Sequence, residues 1–160
     1  MRQPVQQLIQ LYQNNLFTAA FNICQNQMDA EDAVQETFVQ YYTSRKEFEN
    51  EQHIRAWLLR VVINKAKNIN RTFWKKNKCS LDYMETLSFP DSQSRDLFGE
   101  VMKLPDKYRI VIHLFYYEDY SVREIAEILK LSESNVKVRL SRGRALLKDS
   151  LKEEWENDEW

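Results

Sequence analysis

Glycine and proline are scarce in this 160-residue sequence, which holds two glycines, Gly99 and Gly143, and three prolines. Hairpin-rich sheets draw on glycine for turns with positive φ, so the scarcity argues against such an architecture. Cysteine is equally sparse. Cys24 and Cys79 stand far apart and form no CxxC pair, so they read as reduced thiols of a cytoplasmic protein, not a disulfide framework or a zinc site. The two histidines, His53 and His113, lack the partner spacing of a metal site or a catalytic triad, and no phosphate-binding loop is present. No catalytic residue, metal or cofactor is therefore expected. No run of 18 or more apolar residues exists, which excludes a transmembrane helix. The opening MRQPVQQLIQLYQ lacks the uninterrupted apolar core of a secretory signal.

What is present is helix-forming. Hydrophobic residues make up 43% and charged residues 29%, values normal for a soluble domain with a core. Leu, Ile, Gln, Glu and Lys are abundant, pointing to an all-α chain. Residues 4–27 place Val5, Leu8, Ile9, Tyr12, Leu16, Ala19, Ala20 and Ile23 on one helical face. Asp29 reads as the N-cap of a second helix burying Ala30, Ala33, Val34, Thr37, Phe38, Tyr41 and Tyr42, with Glu31, Asp32, Gln35 and Glu36 outside. A polar loop over 47–52 precedes a long helix over about 53–73. The period then fails. SLDYMETLSFPDSQSRD reads as a linker, giving two small helical domains, 1–80 and 98–160, joined by 81–97. Helical patterning resumes near Phe98, and Pro105 suits a first helical position. Ser121 with Glu124 forms a capping box, and Ser132 is a further N-cap.

The formal net charge of −1 hides a segregated distribution. Residues 53–80 carry eight bases and no acid, whereas 29–51 carry seven acids against two bases. Residues 135–148 carry five bases, again without an acid. Two basic blocks separated by an acidic connector suggest two sites for one polyanion, with nucleic acid the leading candidate because phosphate neutralisation supplies much of its affinity.

The second block lies on a helix-turn-helix pattern, 121–129 and 133–149, with Ala126 at the crossing and Ile125, Leu129, Leu131, Val136 and Leu140 as its core. Its second helix offers Asn135, Lys137, Val138, Arg139 and Arg142 in the half that would reach base edges in a major groove. The first block is less usual. Arg60, Asn64, Lys67 and Arg71 recur at i, i+4, i+7 and i+11 as one polar stripe. Such a stripe can follow the phosphates of a strand while the amide reads a base edge. A buried helix with one wet side fits the same pattern, and periodicity does not decide between them. Trp57, beside Leu58 and Val61, reads as core.

The segments DAEDAVQETFVQYY, FENEQHIRAWLLRVVINKAKN and LPDKYRIVIHLFYYEDYSVREIAEILKLSESNVKVRLSRGRALL together resemble the successive segments of extracytoplasmic-function (ECF) sigma factors. The resemblance covers most of the chain in the right order. It implies a transcription initiation factor that binds RNA polymerase core through its β and β′ subunits and directs it to promoter DNA. By that resemblance, Asp32, Gln35 and Glu36 would dock on the clamp helices of the largest subunit. Phe48 would begin the loop that holds a base flipped out of the −10 element. Arg60 and Asn64 would line the pocket, with Gln40 and Ser44 its other wall; Lys67 and Arg71 are expected, from the spacing of the stripe alone, to extend the contact along the strand. The helix 133–148 would read the −35 element as duplex. An anti-sigma factor, which can be membrane-anchored, is the further partner the resemblance implies.

Four positions depart from the family's usual residues. Phe115 stands where Arg is frequent, removing one expected phosphate contact. Val138 replaces Ser or Thr. Lys130 occupies a turn position usually held by Gly, and Gly143 replaces Ala. A conventional helix-turn-helix regulator, with 1–80 as a dimerisation or ligand domain, is the rival reading. It accounts for the second basic block but not for the first.

Overall fold

The computed structural model describes residues 2–72 and 92–158. Seven α-helices lie within them: α1 Val5–Cys24, α2 Gln27–Thr43, α3 Glu51–Thr72, α4 Ser92–Val101, α5 Asp106–Tyr116, α6 Val122–Leu129 and α7 Glu133–Asp158. They belong to two compact units, Met1–Leu87 and Ser88–Trp160. The all-helical, two-body expectation holds. Phe73, Trp74 and the bases that follow them lie outside the described residues, as does most of the expected linker. Its last part differs from expectation, because α4 already begins at Ser92.

In the first unit α1, α2 and α3 each pack on the other two. Leu8, Leu16, Ala19, Ala20, Phe21 and Cys24 of α1 meet Ala30, Ala33, Phe38 and Tyr41 of α2 and Ile54, Leu58, Leu59, Val62, Ile63 and Ala66 of α3. Alanines on α1 and α2 let the helices approach closely. Helix α1 stops because Gln25 turns left-handed at φ 51°, its N–H returning to Phe21 O. The cap of α2 is Asn26, whose Oδ1 accepts from Asp29 N at 2.9 Å. Asp29 is thus the residue being capped, inside the first turn, where its charge still suits the helix dipole. Asn50 serves α3 in the same way, accepting from His53 N at 2.8 Å. Between α1 and α3 the Tyr12 hydroxyl donates to Glu51 Oε1 at 2.8 Å. Partial burial and this carboxylate push the Tyr12 hydroxyl up to about 12.

Tyr42, expected inside, is 72% exposed, whereas Tyr41 is buried. Adjacent helical residues diverge by about 100°, so the two rings cannot share one face. Tyr41 takes the interior, and its hydroxyl donates to Gln3 O at 2.7 Å.

The second unit packs α4, α5 and α6 against α7. Phe98, Val101, Val111, Ile112, Leu114, Ile125, Val136 and Leu140 form its centre, while Leu131 is only half-buried. Pro105 is the N-cap of α5, one residue ahead of the expected position. The capping box on α6 is complete: Glu124 N donates to Ser121 Oγ at 3.1 Å, and Ser121 N donates to Glu124 Oε1 at 2.9 Å. Lys130 adopts φ 58° and ψ 47°, the left-handed turn conformation at which a non-glycine residue costs roughly 1 kcal/mol. Ser132 caps α7 by accepting from Asn135 N at 3.1 Å. Gly143 sits where α7 crosses α5; a Cβ there would lie 3.1 Å from Ile112 Cγ1 and 3.3 Å from Tyr108 Cβ. The glycine is therefore a close-approach residue.

Candidate nucleic-acid and polymerase interfaces

On α2 the residues Glu31, Asp32, Gln35 and Glu36 all face solvent. The sequence reading missed their surroundings. Met28, Val39 and Tyr42 are 73%, 61% and 72% exposed on the same outer side. An acidic centre with apolar ends is suited to a partner surface that is basic in the middle and apolar at its margins. The 3.6 period turns all three positions outward, but the sequence reading placed Tyr42 in the core and gave Met28 and Val39 no role.

In α3, burial of Leu58, Leu59, Val62, Ile63 and Ala66 turns the polar stripe outward. Asn64 is exposed, and Arg60 and Lys67 are half-buried. Arg71 lies in the last turn of α3, and its side chain is outside the described residues. On α2, Gln40 is exposed, and Ser44 is the half-buried C-cap. The Ser44 hydroxyl accepts from Lys46 N at 3.1 Å, which starts the loop that leads to α3.

Phe48 departs from expectation. Only 3% of it is exposed. Its ring stacks on Tyr41 at 5.8 Å and meets Trp57 and His53 edge-on at 5.6 and 5.1 Å. Burying such a side chain contributes about 1.5–3 kcal/mol, so the ring is held in the core and offers no open face to a base. Phe48 anchors the loop. Trp57 is half-buried, partly core as expected, and supplies one wall of the anchor site. The opposite end of the loop is held by Arg2, whose guanidinium donates to Lys46 O at 2.8 Å and Tyr41 O at 2.7 Å and lies 4.4 Å from the Tyr41 ring centroid. No periodic signal marks Arg2, because its partners lie about forty residues away.

On α7 the expected contact residues are presented together. Lys137, Val138 and Arg142 are exposed, and Asn135 and Arg139 are half-buried. Arg139 Nε donates to Asn135 Oδ1 at 3.0 Å, which fixes the amide so that its NH₂ is the end left to act as a donor. Sequence reasoning stopped at Arg142, but the exposed face continues through Ser141, Arg144, Ala145 and Lys148. Arg144 is docked across to α5: its Nε donates to Tyr116 OH at 2.6 Å. Its guanidinium carbon lies 5.3 and 5.7 Å from the Phe115 and Tyr116 ring centroids.

Two family models match the chain in order, sigma-70 region 2 over residues 8–78 and sigma-70 region 4 over residues 97–147. The first match begins within α1 and takes in α2 and α3; the second begins within α4, takes in α5 and α6 and ends within α7. The chain belongs to the extracytoplasmic-function sigma factor family. Like its relatives, this sigma factor directs RNA polymerase to promoters and is not an enzyme. It is 29% identical to the ECF sigma factor SigW of Bacillus subtilis, over 91% of this chain and 88% of SigW. It is 28% identical to SigM of the same organism, over 90% of this chain and 93% of SigM. Among solved structures, CnrH in complex with the cytosolic domain of CnrY is 28% identical with a TM-score of 0.67, covering 92% of this chain and 87% of CnrH. RpoE of Bartonella quintana, in complex with the anti-sigma factor NepR, shares the fold at a TM-score of 0.72 and 22% identity, covering 92% of this chain and 96% of RpoE. Among the described residues, no helix of this sigma factor is long and apolar enough to cross a membrane.

Proposed function

We propose that this sigma factor divides promoter recognition between its two units. Helix α7 reads the −35 element as duplex through Asn135, Lys137, Val138, Arg139 and Arg142. The first unit captures the melted −10 strand with Gln40, Ser44, Arg60, Asn64, Lys67 and Arg71, with Phe48 as the anchor of the loop beside them. The exposed α2 residues Asp32, Gln35 and Glu36 dock on core polymerase, flanked by Val39 and Tyr42. In these terms residues 1–80 are the core- and −10-binding domain, 81–97 the connector and 98–160 the −35-binding domain. The reading rests on one observation: each compact unit turns to solvent a helical face rich in cations and amides, free of acid over residues 53–72 in the first and 134–148 in the second. One such face makes a duplex-binding module; two on separate units match a factor that holds two promoter elements.

Action is in the cytoplasm, where core polymerase is met. Two of the solved structures it resembles are complexes with NepR and with the cytosolic domain of CnrY, which supports an anti-sigma factor as the partner that restrains this chain. Purified with bacterial core polymerase, the chain should co-elute with it and start transcripts from a subset of a promoter library. Tight duplex binding without core association would favour the conventional regulator.

A further inference from the structure

We propose that Arg144, held against Phe115 and Tyr116, is a phosphate clamp on the −35 duplex, forming a second cationic edge of the recognition helix. The inference rests on the −35 reading of α7 given above.

At 3.6 residues per turn, Lys137, Arg144 and Lys148 fall within about 40° of one another around α7. All three are exposed. Arg139 and Arg142 lie roughly half a turn away. Over residues 134–145 the exposed face between the two edges carries Ser134, Val138, Ser141 and Ala145, all small or uncharged, with the charged Lys152 and Asp149 only beyond it, while Val136, Leu140, Gly143 and Leu147 are buried beneath. A helix about 10–12 Å across fills a major groove about 12 Å wide. Both phosphate backbones then run along its flanks, with bases facing its centre. Small residues at the centre and cations on both edges suit that position.

Arg144 differs from an ordinary surface arginine. Tyr116 takes its Nε hydrogen bond, and the two rings take part of its guanidinium face. Among the described residues these are its only hydrogen bond and ring contacts, and no carboxylate of those residues pairs with it. The terminal Nη1 and Nη2 form an end-on fork that suits two phosphate oxygens. Docking on the rings restricts the side chain before DNA arrives, which lowers the ordering cost of binding. Tyr116 is 46% exposed, a large ring left in water that the core does not explain.

The test uses the full chain assembled with bacterial core polymerase. Affinity for a promoter duplex and for one with a scrambled −35 element is followed by fluorescence anisotropy from about 50 to about 200 mM salt. Arg144→Gln should weaken both duplexes alike, by about tenfold. It should also lower the magnitude of the log affinity against log salt slope by about 0.9. Tyr116→Phe, which keeps the ring and the cation, should weaken binding less and leave the slope intact. An unchanged slope for Arg144→Gln, beside a reduced slope for Lys137→Gln, overturns the clamp and leaves the −35 reading standing; a lower Tm with that unchanged slope reduces Arg144 to a tie between α5 and α7. Unchanged slopes for both variants overturn the clamp and the −35 reading together. Loss confined to the promoter duplex would make Arg144 a base reader and also overturn the phosphate assignment.

Discussion

Single side chains in this sigma factor separate packing from DNA contact. Gly143 is the clearest packing case. Alanine would gain about 1 kcal/mol of helix propensity, but its Cβ would press on Ile112 Cγ1 at 3.1 Å. Gly143→Ala should therefore change stability by less than about 0.5 kcal/mol, whereas the bulkier Gly143→Val should cost about 1–3 kcal/mol, read from urea denaturation. His113 is a buried imidazole lowered to about 4 by desolvation. The Glu118 carboxylate at 3.9 Å would pull the other way, but the distance is beyond a hydrogen bond and burial dominates. The unfolded chain takes up a proton near the ordinary value of about 6.5 that the folded chain refuses until about 4. Stability is thus complete above that ordinary value and falls as pH drops through the window, by about 1.4 kcal/mol per pH unit at most and roughly 3 in all. Urea melts between pH 7 and pH 4 should show this limb flattened in His113→Leu. Phe48 shows why a residue's role is hard to read locally. It stands alone among polar neighbours, and only Tyr41 and Trp57, distant in sequence, reveal an anchor. Phe48→Ala should cost about 3–5 kcal/mol, so loss of promoter opening in that variant would mix unfolding with loss of contact.

At the scale of the element, α2 and α3 were legible because both follow a 3.6 period, which assigns the inside and outside of each turn. That legibility stops at helix ends and at contacts across the unit. The cap of α2 lay three residues before the acid first chosen, and Tyr42 competed with Tyr41 for one interior position. Arg144 was passed over because its partner Tyr116 is 28 positions away on α5. Two predictions belong here. Reversing charge on α2 with Glu36→Lys should weaken co-elution with core polymerase by tenfold or more, a 1.4 kcal/mol effect, while circular dichroism stays unchanged because the side chain is exposed. Asn64→Ala, on the exposed stripe of α3, should leave core binding intact and reduce permanganate reactivity of the −10 region on duplex promoters. A pre-melted template should recover part of that signal, since a few kcal/mol of unpairing cost has been removed. Equal opening by wild type and Asn64→Ala on duplex DNA would leave α3 a structural helix with one wet face.

For the whole molecule, the division into Met1–Leu87 and Ser88–Trp160 predicts that each half holds its own core. Expressed separately, both should be helical by circular dichroism and unfold cooperatively; a molten second half would mean that it depends on the first. Charge segregation made the two-part plan legible, because acid-free blocks stand out against a neutral total. What sequence could not supply was how the loop between α2 and α3 is held, which depends on rings from α2, α3 and the loop itself. That stack also makes Trp57 an optical reporter. The other three tryptophans, Trp74, Trp155 and Trp160, can be replaced by phenylalanine, leaving one indole beside Phe48 and Tyr41. Its emission would then follow the loop in real time, reddening as the ring becomes wetter, and would show whether the loop moves when promoter DNA is added.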